Sequence, residues 1–469
     1  MLTRIEIDGF KTFRNLAIDL APFQVIVGPG GAGKSNLFDA LALLANLAEG
    51  DLRAAFQESR GEPRELFSLL PDGSRAGRMR LAAEMLVEPD VRDDWGSQAD
   101  VRYTRMRYEI EIVRGAGDDQ RPERPRVVHE ALHPIQRSTD PWARRYIGRG
   151  RELWLPVLRT GRTVPFISTG GGNGVTTVYL HQDGHGGDMA AAAQGAERTV
   201  LSTIANTEFP HAFAAREEMR GWRRIELEPR AIRNDGQSLP HSFIASDGGN
   251  LAAALLRMKG EDGDVLRRIA ADLARLAPWV AGVEVDERGP WGEPRIIIRR
   301  KDEGTHSLPL LSGSALRMLA LSALKNDPDA GGILCLEEPE NGLDGPALAS
   351  VVRLLLSMCT SLDTPDTEEK TRLRQMIVAT HSMQVVEESV TQLVAGREGP
   401  IADLPEVLFA YPDFQDEESS ITSHSFTRFA RVTPSPQLTL GFGNEEEELC
   451  YTLAEVEQSL SSSIACNTK

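Results

Sequence analysis

Long apolar runs are missing from this sequence. No uninterrupted stretch approaches the ~18 residues that a bilayer-crossing helix needs, so no membrane role is expected. The opening Met1-Leu2-Thr3-Arg4-Ile5-Glu6-Ile7-Asp8 alternates like a strand and lacks the apolar core of a signal peptide. Cysteine is scarce too. Cys335, Cys359, Cys450 and Cys466 have no metal-type spacing and point to a reducing compartment, by default the cytoplasm. Basic excess is lacking: the formal net charge is -17, which argues against a chain coated for nucleic acid. Between about 138 and 277 no heptad persists over the three or four repeats of a long coiled coil.

What remains has the composition of a soluble globular protein, 41% hydrophobic and 26% charged, and 469 residues predict two or three domains. Residues 2–8 and 16–27 read as strands joined through Gly9-Phe10-Lys11-Thr12-Phe13, and 51–71 as helix plus loop. Residues 78–87, 101–113 and 125–135 alternate with period two, as half-buried antiparallel strands do. From about 138 to 277 the pattern becomes mostly helical, with helices expected at 197–205, 212–219, 250–259 and 265–276. Glycine loops are expected at 170–174 and 184–187, with a strand at 176–180. Strand character returns at 283–286 and 295–298, then a helix at 312–324, a buried strand at 333–336, a helix at 346–358 and a buried strand at 375–379. The tail after Phe442 opens acidic and reads as peripheral.

The decisive stretch is Gly28-Pro29-Gly30-Gly31-Ala32-Gly33-Lys34-Ser35, between a buried strand at 23–27 and an apolar-periodic helix from Asn36. Glycine, four residues, glycine, lysine, then serine is the phosphate-loop pattern in the context it requires. Successive backbone N–H groups cradle phosphate oxygens at a helix N-terminus, the lysine reaches the β- and γ-phosphates and the serine hydroxyl holds magnesium. A nucleoside triphosphate is expected here.

Three further stretches follow in order. Leu311-Ser312-Gly313-Ser314-Ala315 opens a helix, another anion-binding device. Glu337-Glu338-Pro339-Glu340-Asn341-Gly342-Leu343-Asp344 follows an apolar strand, placing acids at the carboxyl edge of a sheet, where open α/β sheets bind ligands. Glu337 is expected to hold magnesium and Glu338 to activate the attacking water as general base. Thr380-His381-Ser382 follows the next buried strand, where a polar side chain reaches the γ-phosphate or the water.

Together these stretches resemble the ABC-type ATPases of the SMC/RecF-like branch, and within it the AAA-family ATPases of bacterial defence and overcoming-lysogenization (OLD) type. Gly9-Phe10-Lys11-Thr12-Phe13, Gly33-Lys34-Ser35-Asn36, Asp247-Gly248-Gly249-Asn250-Leu251 and the Glu337–Leu343 run carry the likeness, over 1–48 and 245–390. The resemblance implies an α/β fold: an ABC-type P-loop core of mostly parallel sheet, an antiparallel β-subdomain, and a largely helical insertion. Expected segments are 1–137, 138–277, 278–400 and 401–469. ATP and Mg2+ are the implied ligands. Gly28, Pro29, Gly30, Gly31, Ala32, Gly33, Lys34, Ser35, Asn36, Lys11 and Thr12 would contact nucleotide. Ser312, Gly313, Ser314 and Asp344 would do so from the second copy of a head-to-head dimer. Catalysis would fall to Lys34, Glu338 and His381, with the metal on Ser35 and Glu337. The signature departs from the usual Leu-Ser-Gly-Gly-Gln, and Glu337 stands where aspartate is commoner.

Three functions fit. The first is an ATP-dependent switch controlling a separate effector, a nuclease or toxin, in anti-phage defence; residues after His381 lack the spaced acids of an OLD nuclease domain. A RecF-like ATP-dependent clamp on DNA is the second, supported by Arg144, Arg145, Arg149, Arg151, Arg159 and Arg162, which otherwise read as a solvated face. A transporter's nucleotide-binding subunit is disfavoured by the Phe10-Lys11-Thr12-Phe13 opening and the large insertion. His129 with His133 and His181 with His185 are spaced like metal ligands on a helix, but lie in strand-like and glycine-rich surroundings. Trp222, Trp279 and Trp291 read as packing, as do Met318 and Met383.

Overall fold

The computed structural model describes residues 1–115, 124–147, 154, 157–172, 175–181, 189–192, 196–233, 243–286, 294–302, 304–343, 345–362, 372–395, 404–415, 424–433 and 450–466. Two large sheets organise them. The first is seven-stranded, in the order Arg223–Ile225, Gly332–Glu337, Arg374–Thr380, Phe23–Val27, Leu404–Gln415, His424–Thr433, Cys450–Thr452. Every neighbouring pair is parallel except Leu404–Gln415 with His424–Thr433. The central strands are buried almost throughout, as sheets covered on both faces demand of Phe-Gln-Val-Ile-Val and Gly-Ile-Leu-Cys-Leu. Register sets the site: Val27 lies opposite Thr380, and Ala379 opposite Glu337. The carboxyl ends of three adjacent strands are therefore level, about 4.8 Å apart from strand to strand.

The second sheet is eight-stranded and antiparallel where paired: Met189–Ala192, Val175–Leu180, Ile167–Gly172, Arg126–Pro134, Arg105–Val113, Arg78–Leu86, Leu2–Asp8, Leu16–Asp19. Its apolar face joins the phosphate-loop helix Lys34–Glu49 in one core with Phe10, Phe13, Leu81 and Ile110. The opposite face carries a ladder of charge: Arg107 bonds Glu6, Glu84 and Glu109, and Arg4 bonds Glu6 and Asp19. The Gln375 amide stitches the sheets together, accepting from Leu2 N and donating to the Leu2 and Ala21 carbonyls at 2.8, 2.8 and 2.9 Å. A second core gathers helices Leu251–Glu261, Val265–Leu276, Gly313–Asn326 and Gly345–Met358 with the small sheet Val280–Asp286, Arg295–Arg300, Thr305–Ser307.

The α/β architecture is as expected, with differences in particular elements. Residues 16–27 are two strands in different sheets, broken at Leu20-Ala21-Pro22. The helix expected at 197–205 is only a 3-10 turn, Leu201–Thr203, and Gly170, Gly171 and Gly172 end a strand instead of forming a loop. Region 138–277 holds more strand than its pattern predicts, three strands in the antiparallel sheet and Arg223–Ile225 in the parallel one. Period-two alternation is weak in glycine- and alanine-rich strands, which is why they were missed. After the acidic stretch, the described end is built in: Cys450–Thr452 pairs with His424–Thr433, and Val456 and Leu460 of helix Leu453–Cys466 are buried. Residues 173–174, 184–187 and 443–448 lie outside the described residues.

Candidate nucleotide-binding site

Gly33 caps the helix Lys34–Glu49 at φ 89°, a left-handed conformation that glycine adopts without strain. Space forbids a side chain there as well: a Cβ would sit 2.0 Å from Thr427 Oγ1 and 2.9 Å from Thr12 Oγ1. At Gly28 a Cβ would come within 2.3 Å of the Ala410 carbonyl oxygen. The loop is thus pressed against the hairpin Leu404–Gln415/His424–Thr433 from behind. At Gly30 and Gly31 a Cβ would meet nothing within 4 Å, which leaves the backbone approachable from outside. Lys34 Nζ donates to the Gly28 and Pro29 carbonyls at 2.7 and 2.9 Å. Burial pulls its pKa below the usual lysine range, against the charges of Glu338, Glu337 and Glu340.

Asn36 and Thr12 work behind the loop. Asn36 Nδ2 donates to Thr12 Oγ1 at 2.8 Å, and Thr12 Oγ1 lies 2.6 Å from Thr427 Oγ1. Lys11, at φ 45°, donates from Nζ to Asp39 Oδ2 at 2.6 Å and to the Arg60 carbonyl at 2.9 Å.

The acids stand at the neighbouring strand ends. Glu337 closes its strand, and Glu338 follows with φ 47°, an unusual conformation for a residue with a Cβ and one found disproportionately at functional sites. Its N–H bonds the Ala379 carbonyl at 2.8 Å. Glu338 Oε1 lies 3.1 Å from His381 Nδ1, and Oε2 accepts from Asn341 Nδ2 at 2.8 Å. Glu340, missed as a site residue, is mostly buried; Oε1 accepts from Thr380 Oγ1 and lies 4.0 Å from His381 Nδ1. Burial raises its pKa. Lys34, Glu337, Glu338, Glu340 and His381 therefore meet at one sheet edge.

Ser312 caps helix Gly313–Asn326 by accepting from Ala315 N, and its Oγ is 3.0 Å from Ser314 Oγ. Arg317 of that helix donates to the Asn341 carbonyl at 2.7 Å, tying the signature to the acidic turn. Asp344 lies outside the described residues, as do Arg149, Arg151, His185 and Trp291. Arg159 pairs with Asp100, and Arg162 packs over the Phe166 ring. His129 and His133 lie on the strand Arg126–Pro134, and among the described residues no group of three or more His, Cys, Asp or Glu could hold a metal by itself. Trp222 is core and bonds Glu218; Trp279 packs under Arg300. Met318 is buried and Met383 packs against the same core.

The sequence model of the family described as "AAA domain, putative AbiEii toxin, Type IV TA system" matches residues 200–387, and a second AAA-domain model matches 4–59. Chromosome partition protein Smc of Bordetella petrii is 28% identical over 156 residues, 32% of this chain and 12% of that protein. The Smc of Methanocaldococcus jannaschii is 46% identical over 55 residues, 11% of this chain and 5% of that one. Residues 4–59 and 200–387 thus carry AAA-domain sequence, and the chain is similar to the SMC/RecF-like ABC-type ATPases. The chain matches only a small part of the length of these curated relatives. Among solved structures, an Smc head bound to the C-winged helix domain of ScpA is similar at TM-score 0.49 and 12% identity, covering 91% of this chain and 98% of that one. The SMC head domain of Thermotoga maritima gives TM-score 0.36 and 15% identity, over 92% and 99%. No helix among the described residues is long and apolar enough to cross a membrane.

The residues present fit a magnesium-bearing nucleotide. Glu337 Oε1 is buried, accepts no hydrogen bond among the described residues and lies 3.4 Å from Arg224 Nη2. A buried carboxylate oxygen with an ion-pair partner but no hydrogen bond keeps lone pairs for a cation, and oxygen ligands suit magnesium.

Proposed function

We propose that this ATPase binds ATP with magnesium between two copies of itself and hydrolyses it, cycling as a switch that controls a separate effector, a nuclease or toxin. The setting is bacterial anti-phage defence in the cytoplasm. The convergence of Lys34, Glu337, Glu338 and His381 on one sheet edge carries the proposal, and the match to a domain described as a putative AbiEii toxin favours the setting. Lys34 would exchange the Gly28 and Pro29 carbonyls for β- and γ-phosphate oxygens, and the N–H groups of Gly30 to Ser35 would hold the remaining charge. Ser35 and Glu337 would hold magnesium, which supplies charge neutralisation on the phosphates. Glu338, oriented by His381 and Asn341, would accept a proton from the attacking water. Ser312, Gly313, Ser314 and Asp344 of a second copy would close the site.

Steady-state phosphate release tests the chemistry. Lys34→Ala is expected to abolish turnover with loss of ATP binding. Glu338→Gln is expected to lower kcat by 10²-fold or more while ATP still binds. Unchanged kcat in both variants would refute the mechanism. A second reading, a RecF-like clamp on DNA, is favoured by the Smc relatives, which are named for chromosome partition. ATP-dependent binding to duplex DNA that weakens steeply with salt would select it.

A further inference from the structure

Asp39 is a charged residue in the apolar run of the phosphate-loop helix, and its side chain is only 4% exposed. Three cations converge on it: Lys11 Nζ at 2.6 Å, Arg60 Nη2 at 2.8 Å and Arg224 Nη1 at 3.2 Å. Arg224 reaches further. Its Nη2 lies 3.4 Å from Glu337 Oε1 and its Nε pairs with Glu226. The cluster is balanced, with Lys11, Arg60 and Arg224 against Asp39, Glu226 and Glu337, so the Glu337 carboxylate is part of a paired network.

Position gives this network its meaning. Asp39 follows Ser35 by four residues on the same helix, so the two share a face one turn apart. Arg224 lies on the edge strand Arg223–Ile225, in register with Cys335, two residues before Glu337 on the neighbouring strand. A guanidinium is a planar, rigid fork, and this one spends one terminal nitrogen on the helix that carries Ser35 and the other on the strand that carries Glu337.

We infer that Arg224 is a positioning residue: Asp39–Arg224–Glu337 is a brace that holds the two protein ligands of the magnesium site, Ser35 and Glu337, in mutual register. The inference rests on the reading that magnesium binds at Ser35 and Glu337. It gives Lys11 and Arg60 a role as well, since they hold the Asp39 end of the brace. Partners outside the ligand set commonly set metal affinity by orienting the ligands.

The test is magnesium-dependent binding of a fluorescent ATP analogue to the full chain, titrated with MgCl2 from an EDTA baseline, with no turnover required. Arg224→Ala is expected to raise the half-saturating magnesium concentration about 10- to 100-fold, while affinity for the analogue in EDTA stays within about twofold of the unaltered protein. Arg224→Lys keeps the charge but cannot bridge both carboxylates, so it should shift the same way; it decides the matter if the alanine variant does not fold. Magnesium half-saturation equal to that of the unaltered protein in the folded variant would overturn the brace, and so would a loss confined to the EDTA affinity. Absence of any magnesium-dependent binding in the unaltered protein would overturn the underlying site assignment, and the brace with it.

Discussion

Glu338 shows how a single residue combines a proposed role with strain. Its left-handed backbone is fixed by the bond to Ala379 and by Asn341, and the same contacts aim the carboxylate at His381. The pair Glu337-Glu338 was legible because two acids at the end of an apolar strand have few structural excuses. Glu340 and Arg224 were not, since an acid in an acidic turn and an arginine in a short edge strand carry no local signal of burial. Glu130 was equally hidden: alternation places it on a strand, but not under the backbone N–H groups of Val200 and Leu201. Burial outweighs these donors and Tyr108 and pushes its pKa up to about 7. The unfolded chain ionises this group from about pH 4.5. Between there and about 7 the unfolded state releases a proton that the folded state keeps, so stability falls as pH rises and then levels. Urea unfolding free energies at pH 5 and pH 7.5 should show the unaltered protein losing roughly 2 kcal/mol more than Glu130→Gln across that interval. Parallel pH profiles for the two would contradict this.

At the scale of elements, the buried strands Phe23–Val27, Gly332–Glu337 and Arg374–Thr380 and the helix Gly313–Asn326 were readable within two residues, because short unbroken apolar runs and helical spacing leave few alternatives. Pairing was less legible, as neighbours in a sheet come from distant parts of the chain. The hairpin Leu404–Gln415/His424–Thr433 is the clearest case: nothing in its own sequence announces that Ala410 and Thr427 press against the phosphate loop. That contact makes Gly33→Ala a test of the element. Left-handed alanine costs about 1–3 kcal/mol, and the added Cβ would drive Thr427 off Thr12. ATP affinity measured by fluorescence titration should fall at least about tenfold with far-UV circular dichroism retained. Wild-type affinity would show that the hairpin does not shape the loop.

For the whole molecule, Lys34, Glu337, Glu338 and His381 gather at one sheet edge, and the signature at Ser312–Ser314 caps the helix Gly313–Asn326 that Arg317 ties to the acidic turn. The proposed second copy brings that signature to the nucleotide. Each copy carries a formal charge of -17, so like-charge repulsion opposes pairing and salt relieves it. A DNA clamp would respond to salt in the opposite sense, as phosphate contacts weaken. Sedimentation velocity of Glu338→Gln with ATP and magnesium tests the central claim most directly. The variant is expected to shift from monomer to dimer on addition of ATP, more completely at 300 mM than at roughly 50 mM salt, with Lys34→Ala remaining monomeric. A Glu338→Gln protein saturated with ATP that sediments as a monomer at every salt concentration would contradict the account.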